Sequence, residues 1–281
     1  MKSRRQFLKV AGTGMLAAGV ASAYGSSVTS IPVKKTLVPD LFSLGMAGYT
    51  FLQLNVGQTI EIMNRVGVSY LSLKDFHMPL NSTQEQINEI IGKFKNAGIT
   101  VYTVGVIYMR TQESVDQAFE YARMAGVKMI VGAPDVELLP YVEKKIREYD
   151  FRLAIHNHGP DNPLFPNATD IWNHVKDLDP RIGFCLDIGH TIRDGQDPAA
   201  DILSYKSRIY DLHIKDVDKA SSEGKTVEMG RGIIDIPKVV DALRKINYNG
   251  KCSLEFEKDM KNPLAGIAES IGYFRGVMAC K

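Results

Sequence analysis

A closed barrel of eight parallel strands wrapped by helices, the α/β (β/α)8 TIM-barrel arrangement, is the fold this sequence predicts. Three observations carry that expectation. After Asp40, short apolar β-prone runs alternate eight times with helical patterns; no change of composition divides the chain; and polar residues close many of the runs instead of one. Eight strand–helix repeats favour closure into a barrel. An open doubly wound sheet usually has fewer strands and gathers its ligand groups at one switch point. No Gly-x-Gly-x-x-Gly follows the first run, and no phosphate-loop motif is present.

The strand candidates are residues 41–45, 70–73, 100–105 and 127–131, followed by 152–156, 182–187, 209–214 and 252–255. Helical spacing separates most of them. Ile87, Ile90, Ile91 and Phe94 form one apolar stripe, and residues 114–125 and 136–149 form two further helices. Residues 171–178 and the pair Ile202-Leu203 mark shorter segments. Asp235 caps a helix that tolerates Pro237 in its first turn, with Val239, Val240, Leu243 and Ile246 on its inner face. Ala97-Gly98, Ala125-Gly126 and Asn249-Gly250 supply the glycine stops that turn a helix back toward the sheet.

The 281 residues, 44% of them hydrophobic, can bury the core of one barrel spanning residues 40–281. The start of the chain reads differently. Lys2, Arg4, Arg5 and Lys9 precede an apolar run of small residues from Val10 to Val20, and Ala21-Ser22-Ala23 offers a cleavage site. These are the parts of a signal peptide at residues 1–23, and the paired arginines followed by Phe7-Leu8-Lys9 resemble a twin-arginine export signal. Residues 24–39 then form a linker or N-terminal extension. An exported, periplasmic protein without stable membrane insertion after cleavage is expected, the apolar run being too short to span a bilayer well.

Basic residues number 34 and acidic residues 32, mixed along the chain. That balance excludes a polybasic nucleic-acid surface, and the triplet His156-Asn157-His158 carries no nuclease mechanism by itself. Cys185, Cys252 and Cys280 are too few and too widely spaced for a disulfide framework. Cys185 and Cys252 lie in apolar runs and read as buried structural thiols. A homo-oligomer is compatible with everything above.

Four late strands end in groups that a core does not want. They are the runs ending in His156-Asn157-His158, Asp187-Ile188-Gly189-His190, His213-Ile214-Lys215-Asp216 and Glu255-Phe256-Glu257. Burying an unpaired neutral polar group costs roughly 2–7 kcal/mol, and an isolated charge more. Four such strands therefore need a compensating partner, and a shared cation supplies one. Strand alternation puts His156 with His158, Cys185 with Asp187, His213 with Lys215, and Glu255 with Glu257 on common sides. The metal set expected is Asp187, His213 and Glu255 with His156, or alternatively His158, as fourth ligand. This nitrogen and oxygen set suits Mn2+, Co2+, Zn2+, Fe2+ or Mg2+, and soft thiolate ligation is not expected. His190, Lys215, Glu257 and His158 are expected to contact substrate, and Lys74 and His77 at the end of the second strand to line the pocket. Tyr49, Phe76 and Tyr108 offer stacking platforms or rim packing. Gly230-Arg231-Gly232 brings backbone close to a ligand, or simply turns the chain before the helix capped by Asp235.

From about Leu41 to its end the chain resembles the sugar phosphate isomerase/epimerase superfamily, the xylose isomerase-like barrels. The resemblance is carried by Cys185-Leu186-Asp187-Ile188-Gly189-His190, Leu212-His213-Ile214-Lys215-Asp216, Gly230-Arg231-Gly232-Ile233-Ile234-Asp235 and Leu254-Glu255-Phe256-Glu257. It implies ketose epimerase, isomerase or inosose dehydratase chemistry; the superfamily also holds abasic-site endonucleases. In the ketose 3-epimerases two glutamates, an aspartate and a histidine hold the metal, and the glutamates move protons on opposite substrate faces. The aspartate falls on Asp187, the histidine on His213 and the second glutamate on Glu255; the first falls on His156, a departure. His158 and His190 match positions that contact substrate hydroxyls. An arginine of the epimerases is missing after His213, where only Lys219 and Lys225 stand. A histidine-rich fifth strand is closer to the inosose dehydratases.

The resulting expectation is a metal-dependent sugar isomerase or epimerase working through an enediolate on a ketose or keto-sugar. Glu255 is the expected base and His156 or His158 its partner. Inosose dehydratase-like or 3-keto-sugar β-eliminating lyase chemistry is the alternative, and a nonenzymatic exported sugar-binding protein a further one. The expected partner is a small sugar or polyol, unphosphorylated if the protein is exported, and not nucleic acid.

Overall fold

The structure is a computed structural model that describes residues 40–280. The expected export signal and the extension that follows it lie outside the described residues. Eight parallel strands close into a barrel: β1 (Ser43–Ala47), β2 (Tyr70–Leu73), β3 (Thr100–Met109), β4 (Met129–Pro134), β5 (Arg152–His156), β6 (Ile182–Asp187), β7 (Ile209–Ile214) and β8 (Lys251–Leu254). Each pairs with its neighbours in sequence, and β8 returns to β1 in the register Ser43 with Lys251. The predicted fold class is the observed one.

Four strands fall on the expected residues and four are displaced. β1 starts two residues late because Ser43 is the first residue to find a partner on β8, leaving Leu41 exposed. β3 runs past Gly105 to Met109 and so carries Tyr108 to the barrel mouth.

The helices are α1 (Val56–Val66), α2 (Gln84–Asn96), α3 (Gln112–Met124), α4 (Leu139–Tyr149), α5 (Ala168–Val175), α6 (Ile188–Arg193), α7 (Pro198–Ser204), α8 (Ile236–Lys245) and α9 (Leu264–Ala279). Asn55, Thr83 and Thr111 close capping boxes at α1, α2 and α3. Asn167, Asp187, Asp197 and Asp235 cap α5 to α8 through their side chains. Each satisfies an amide that the first helical turn leaves without a partner. Among the described residues, no helix is long and apolar enough to cross a membrane.

Alternation along the strands sorts the side chains. Leu153, Ile155, Phe184, Leu186, Leu212 and Leu254 join the core between strands and helices. Val106, Val131, Ala133, Ala154 and Cys185 form a separate apolar cluster. These are alternate residues on β4, β5 and β6, so the second cluster fills the barrel interior beneath the mouth. On β7 and β8 the interior is polar: the Tyr102 hydroxyl lies 2.8 Å from Asp211 Oδ2 and 2.6 Å from Ser253 Oγ. Burial pushes the Asp211 carboxyl up to about 7.

Candidate metal centre

Inward residues at the C-terminal ends of β5 to β8 converge. One ligand atom each from His156, Asp187, His213 and Glu255 lies within 4.8 Å of all the others, and all four residues are buried. His156 Nε2 is 3.1 Å from His213 Nδ1 and 3.6 Å from Asp187 Oδ2, while His213 Nδ1 is 3.4 Å from Glu255 Oε1. Local chemistry fixes these positions. Asp187 closes β6 and caps α6, its Oδ1 accepting from His190 N at 2.7 Å, which leaves Oδ2 for the centre. Asn157 bonds the backbone of Asp187 in both directions, at 2.8 and 3.1 Å, and so locks the end of β5 against β6.

Lys215 is a second organiser. Its ammonium, 2% exposed, donates to Glu255 Oε2 at 2.7 Å and Glu257 Oε2 at 3.2 Å, and lies 3.1 Å from Asp187 Oδ2. Gly189 makes that reach available: a Cβ there would stand 2.3 Å from Lys215 Cγ. Burial opposes the charges of Asp187, His213, Lys215 and Glu255, and the opposite charges outweigh it. Asp187 is held well below the usual carboxylate range against burial by Lys215, then His190 and His156. Glu255 is held down likewise by Lys215 and His213, and Lys215 is held up by Asp187, Glu255 and Glu257. His213 is raised despite burial, chiefly by Glu255.

The donor set fits a divalent cation. Three carboxylates face a single ammonium, the Asp187 and Glu255 side chains buried and that of Glu257 partly exposed. Asp187 Oδ2 is buried and no donor is aligned on it. Two imidazoles with two carboxylate oxygens form the mixed nitrogen and oxygen set of Mn2+, Co2+, Zn2+, Fe2+ or Mg2+. Cys185 Sγ also lies within 4.8 Å of a nitrogen of both His156 and His213.

Above this set, the other expected residues divide. His158 stands outside the four-donor group, with its Nε2 2.8 Å from the Tyr108 hydroxyl; burial, then His156, push it down to about 3. His190 packs edge-on against His156 at 5.7 Å between ring centres. Arg193 Nη1 lies 3.1 Å from His190 Nδ1, and Arg193 also holds Asp161 and the Ser222 carbonyl. A guanidinium only donates, so Nδ1 accepts and the proton of neutral His190 sits on Nε2. Burial above all pushes His190 down to about 3. Glu257, partly exposed, takes Lys215 and Thr226. Tyr49 joins this rim, where burial, Glu257 and Glu255 raise its phenol.

Lys74 pairs with Asp75, and His77 spends its Nε2 on the Leu54 carbonyl at 2.7 Å with Thr59 at 3.4 Å. Neither has a contact to the four donors. Phe76 packs edge-on against His77, 4.6 Å between ring centres. The turn at Gly230-Arg231-Gly232 serves structure: Asp216 accepts from the amides of Gly230, Gly232 and Ile234 at 2.9, 3.0 and 3.1 Å, while Arg231 pairs with Glu269 on the surface. Asp216 and Val217 pair with Thr226 and Val227 as a short ribbon.

Arg193 and Asn157 were not among the expected site residues. The spacing of three between His190 and Arg193 is the signal that would have found the first, given a helix there.

The profile of the xylose isomerase-like TIM barrel family matches residues 55–277. The rhizopine catabolism protein MocC of Rhizobium meliloti is 27% identical over 131 residues, 41% of this chain and 40% of that protein. Inosose dehydratase of Lacticaseibacillus casei is 24% identical over 130 residues, 41% of this chain and 43% of that enzyme. The matched stretches thus span less than half the length of these relatives. An uncharacterised protein from Parabacteroides distasonis ATCC 8503 has a solved structure of TM-score 0.66 and 26% identity, covering 86% of this chain and all of that one.

Proposed function

The chain belongs to the xylose isomerase-like TIM-barrel family, and from that premise we propose a divalent-metal-dependent dehydratase or β-eliminating lyase acting on a polyhydroxylated keto compound. The observation that carries this reading is the inequality of the proton-carrying groups around the four donors. Glu255 is a carboxylate fastened to Lys215, whereas His158 and His190 are imidazoles held low by burial. Epimerisation requires a base of comparable strength on each face of an enediolate. Elimination needs the opposite, one group to take a proton and a different one to give it.

His156, Asp187, His213 and Glu255 would hold the cation, which when bound supplies Lewis-acid polarisation of the carbonyl. Glu255 takes the proton from the carbon beside the carbonyl, and the C–H electron pair becomes the enediolate double bond. The β-oxygen then leaves with its bonding pair and collects the proton of the Tyr108 hydroxyl, which His158 Nε2 positions, while neutral His190 offers its Nε2–H as a hydrogen bond only. Lys215 keeps Glu255 ionised and oriented. Similarity to MocC and to inosose dehydratase supports this substrate class.

Sugar isomerisation or epimerisation through the same enediolate is the second reading. It is favoured by Asp187, His213 and Glu255, which occupy the positions of three ketose-epimerase ligands. Incubation of the Mn2+-loaded protein with keto-sugars and inososes in D2O, followed by mass spectrometry, separates the two. Elimination gives a product lighter by one water or a cleaved aglycone. An isomer carrying solvent deuterium would replace the first reading by the second. Neither exchange nor bound metal would leave a sugar-binding protein. Glu255→Gln should lower turnover by roughly 10²–10⁴-fold while elemental analysis still finds the metal; near-native activity would remove Glu255 from its role.

A further inference from the structure

We propose that the barrel holds a second, softer cation berth one layer below the carboxylates, formed by Cys185 with His156 and His213 and suited to a thiophilic ion such as Cd2+. The register places it. His156 is the cross-strand partner of Cys185, and Asp187 is the cross-strand partner of His213. Alternation on β6 turns Cys185 to the same interior as Asp187, one inward step closer to the barrel floor. The sulfur and a nitrogen of each imidazole lie within 4.8 Å of one another, and all three residues are buried.

Two further observations set the character of this berth. Its surroundings are apolar on one side, where Cys185 packs with Val106, Val131, Ala133 and Ala154, while Asp211 is its cross-strand partner on β7. A hard cation such as Mg2+ keeps several oxygen ligands or waters, which a thiol and two imidazoles do not provide. A soft cation takes sulfur and imidazole and needs few ligands. In addition, His156 Nδ1 and His213 Nε2 are buried without a hydrogen-bond partner, and each neutral ring has one lone pair to give to a single ion.

The upper and lower berths share both imidazoles and therefore exclude one another. The upper one, completed by Asp187 and Glu255, takes hard or borderline ions; the lower one, completed by Cys185, takes soft ions. On binding, the Cys185 thiol gives its proton to the buffer and its sulfur lone pair to the ion. No electrons are exchanged. The berth requires nothing of the reaction proposed above, and a thiophilic ion seated in it would silence the centre by withdrawing both imidazoles.

The test uses a Cys280→Ser background, because Cys280 is exposed and would bind Cd2+ on its own. Cd2+ and Mn2+ are titrated into that protein and into the same protein carrying Cys185→Ser, with Cys185→Ala as a second variant should serine disturb the apolar floor. The expected result is an ultraviolet thiolate-to-cadmium charge-transfer band that saturates at one equivalent and is suppressed by excess Mn2+. Cys185→Ser should abolish the band and weaken Cd2+ by about 100-fold, while Mn2+ affinity changes less than about threefold. Asp187→Asn should do the reverse, weakening Mn2+ and keeping the band. Cd2+ binding without the band, or a band that survives in both Cys185 variants, overturns the proposal. Failure of Mn2+ alone to bind would count against the upper berth and the proposed reaction, and would leave the Cys185 result standing.

Discussion

The two halves of the barrel mouth are built on opposite principles. Strands β5 to β8 end in His156, Asp187, His213 and Glu255, with Lys215 and Glu257 just beyond, and nearly all of these charges are buried. Strands β1 to β4 end in Ala47, Leu73, Met109 and Pro134; the charges just beyond them pair with each other, Lys74 with Asp75 and Arg110 with Asp135, and Tyr49 and Tyr108 at the rim are 37% and 44% exposed. A buried charge is tolerable only beside its complement. Concentrating the buried charges of the donor cluster on four adjacent strands lets each compensate the next. The apolar half excludes water from the same space and strengthens those interactions. The comparison teaches a division of labour: one half carries the cation and the protons, and the other supplies a wall for substrate.

The largest effect should come from removing the internal cation of the charged half. Lys215→Met leaves Asp187, Glu255 and Glu257 facing one another, and breaking a buried ion pair by deleting one partner costs about 3–5 kcal/mol. Urea unfolding in the presence of a chelator should show that loss. Saturating Mn2+ should return more stability to the variant than to the native chain, because it is then the only cation left in the cluster. Equal stability of the two proteins in chelator would break the charge-balance argument for the whole half.

This charged half was also the more legible in sequence. Spans read for β5, β6 and β7 are the observed ones, as is that of β2; β5 and β6 each end on an ionisable residue and β7 is followed by one, Lys215, which marks the boundary. His156, rather than His158, entered the four-donor group, a choice that periodicity could not make since both residues point to one side. Lys74 and His77 were expected in the pocket, and each is engaged locally instead, by Asp75 and by the Leu54 carbonyl. Helix α1 was unread although its Asn55 cap is ordinary, and α9 was unread because Leu264, Ile267, Ile271 and Phe274 sit among small residues that blur the stripe. Register was invisible. Nothing in the spelling of Cys185 tells that His156 lies across from it, and its apolar run alone led to the expectation of a buried structural thiol.

A smaller effect belongs to the seam between chemistry and loop structure. Arg193 fixes the His190 proton on Nε2 and ties down Asp161 and the Ser222 carbonyl. Arg193→Met should lower turnover by about 10–100-fold, the range found when a partner that orients a functional imidazole is removed. Nitrogen-15 NMR of the native protein should show His190 as the Nε2–H tautomer. In the variant a second tautomer should appear, and Arg193→Lys should restore the native signal in part. Loss of activity with an unchanged tautomer would assign Arg193 to loop packing alone and move it out of the charged half.

The smallest effect should come from the wall. Tyr49 sits at the rim within electrostatic reach of Glu257 and Glu255. An aromatic contact of this kind contributes roughly 0.5–1.5 kcal/mol beyond its buried area. Tyr49→Ala should therefore raise KM by about two- to tenfold and leave kcat within about threefold, since a wall binds substrate and transition state alike. Steady-state kinetics on the substrate found by the deuterium assay measures both constants. A hundredfold fall in kcat would mean that the first strand takes part in the chemical step. The division between a charged half and an apolar half would then describe where the charges sit without describing what the two halves do.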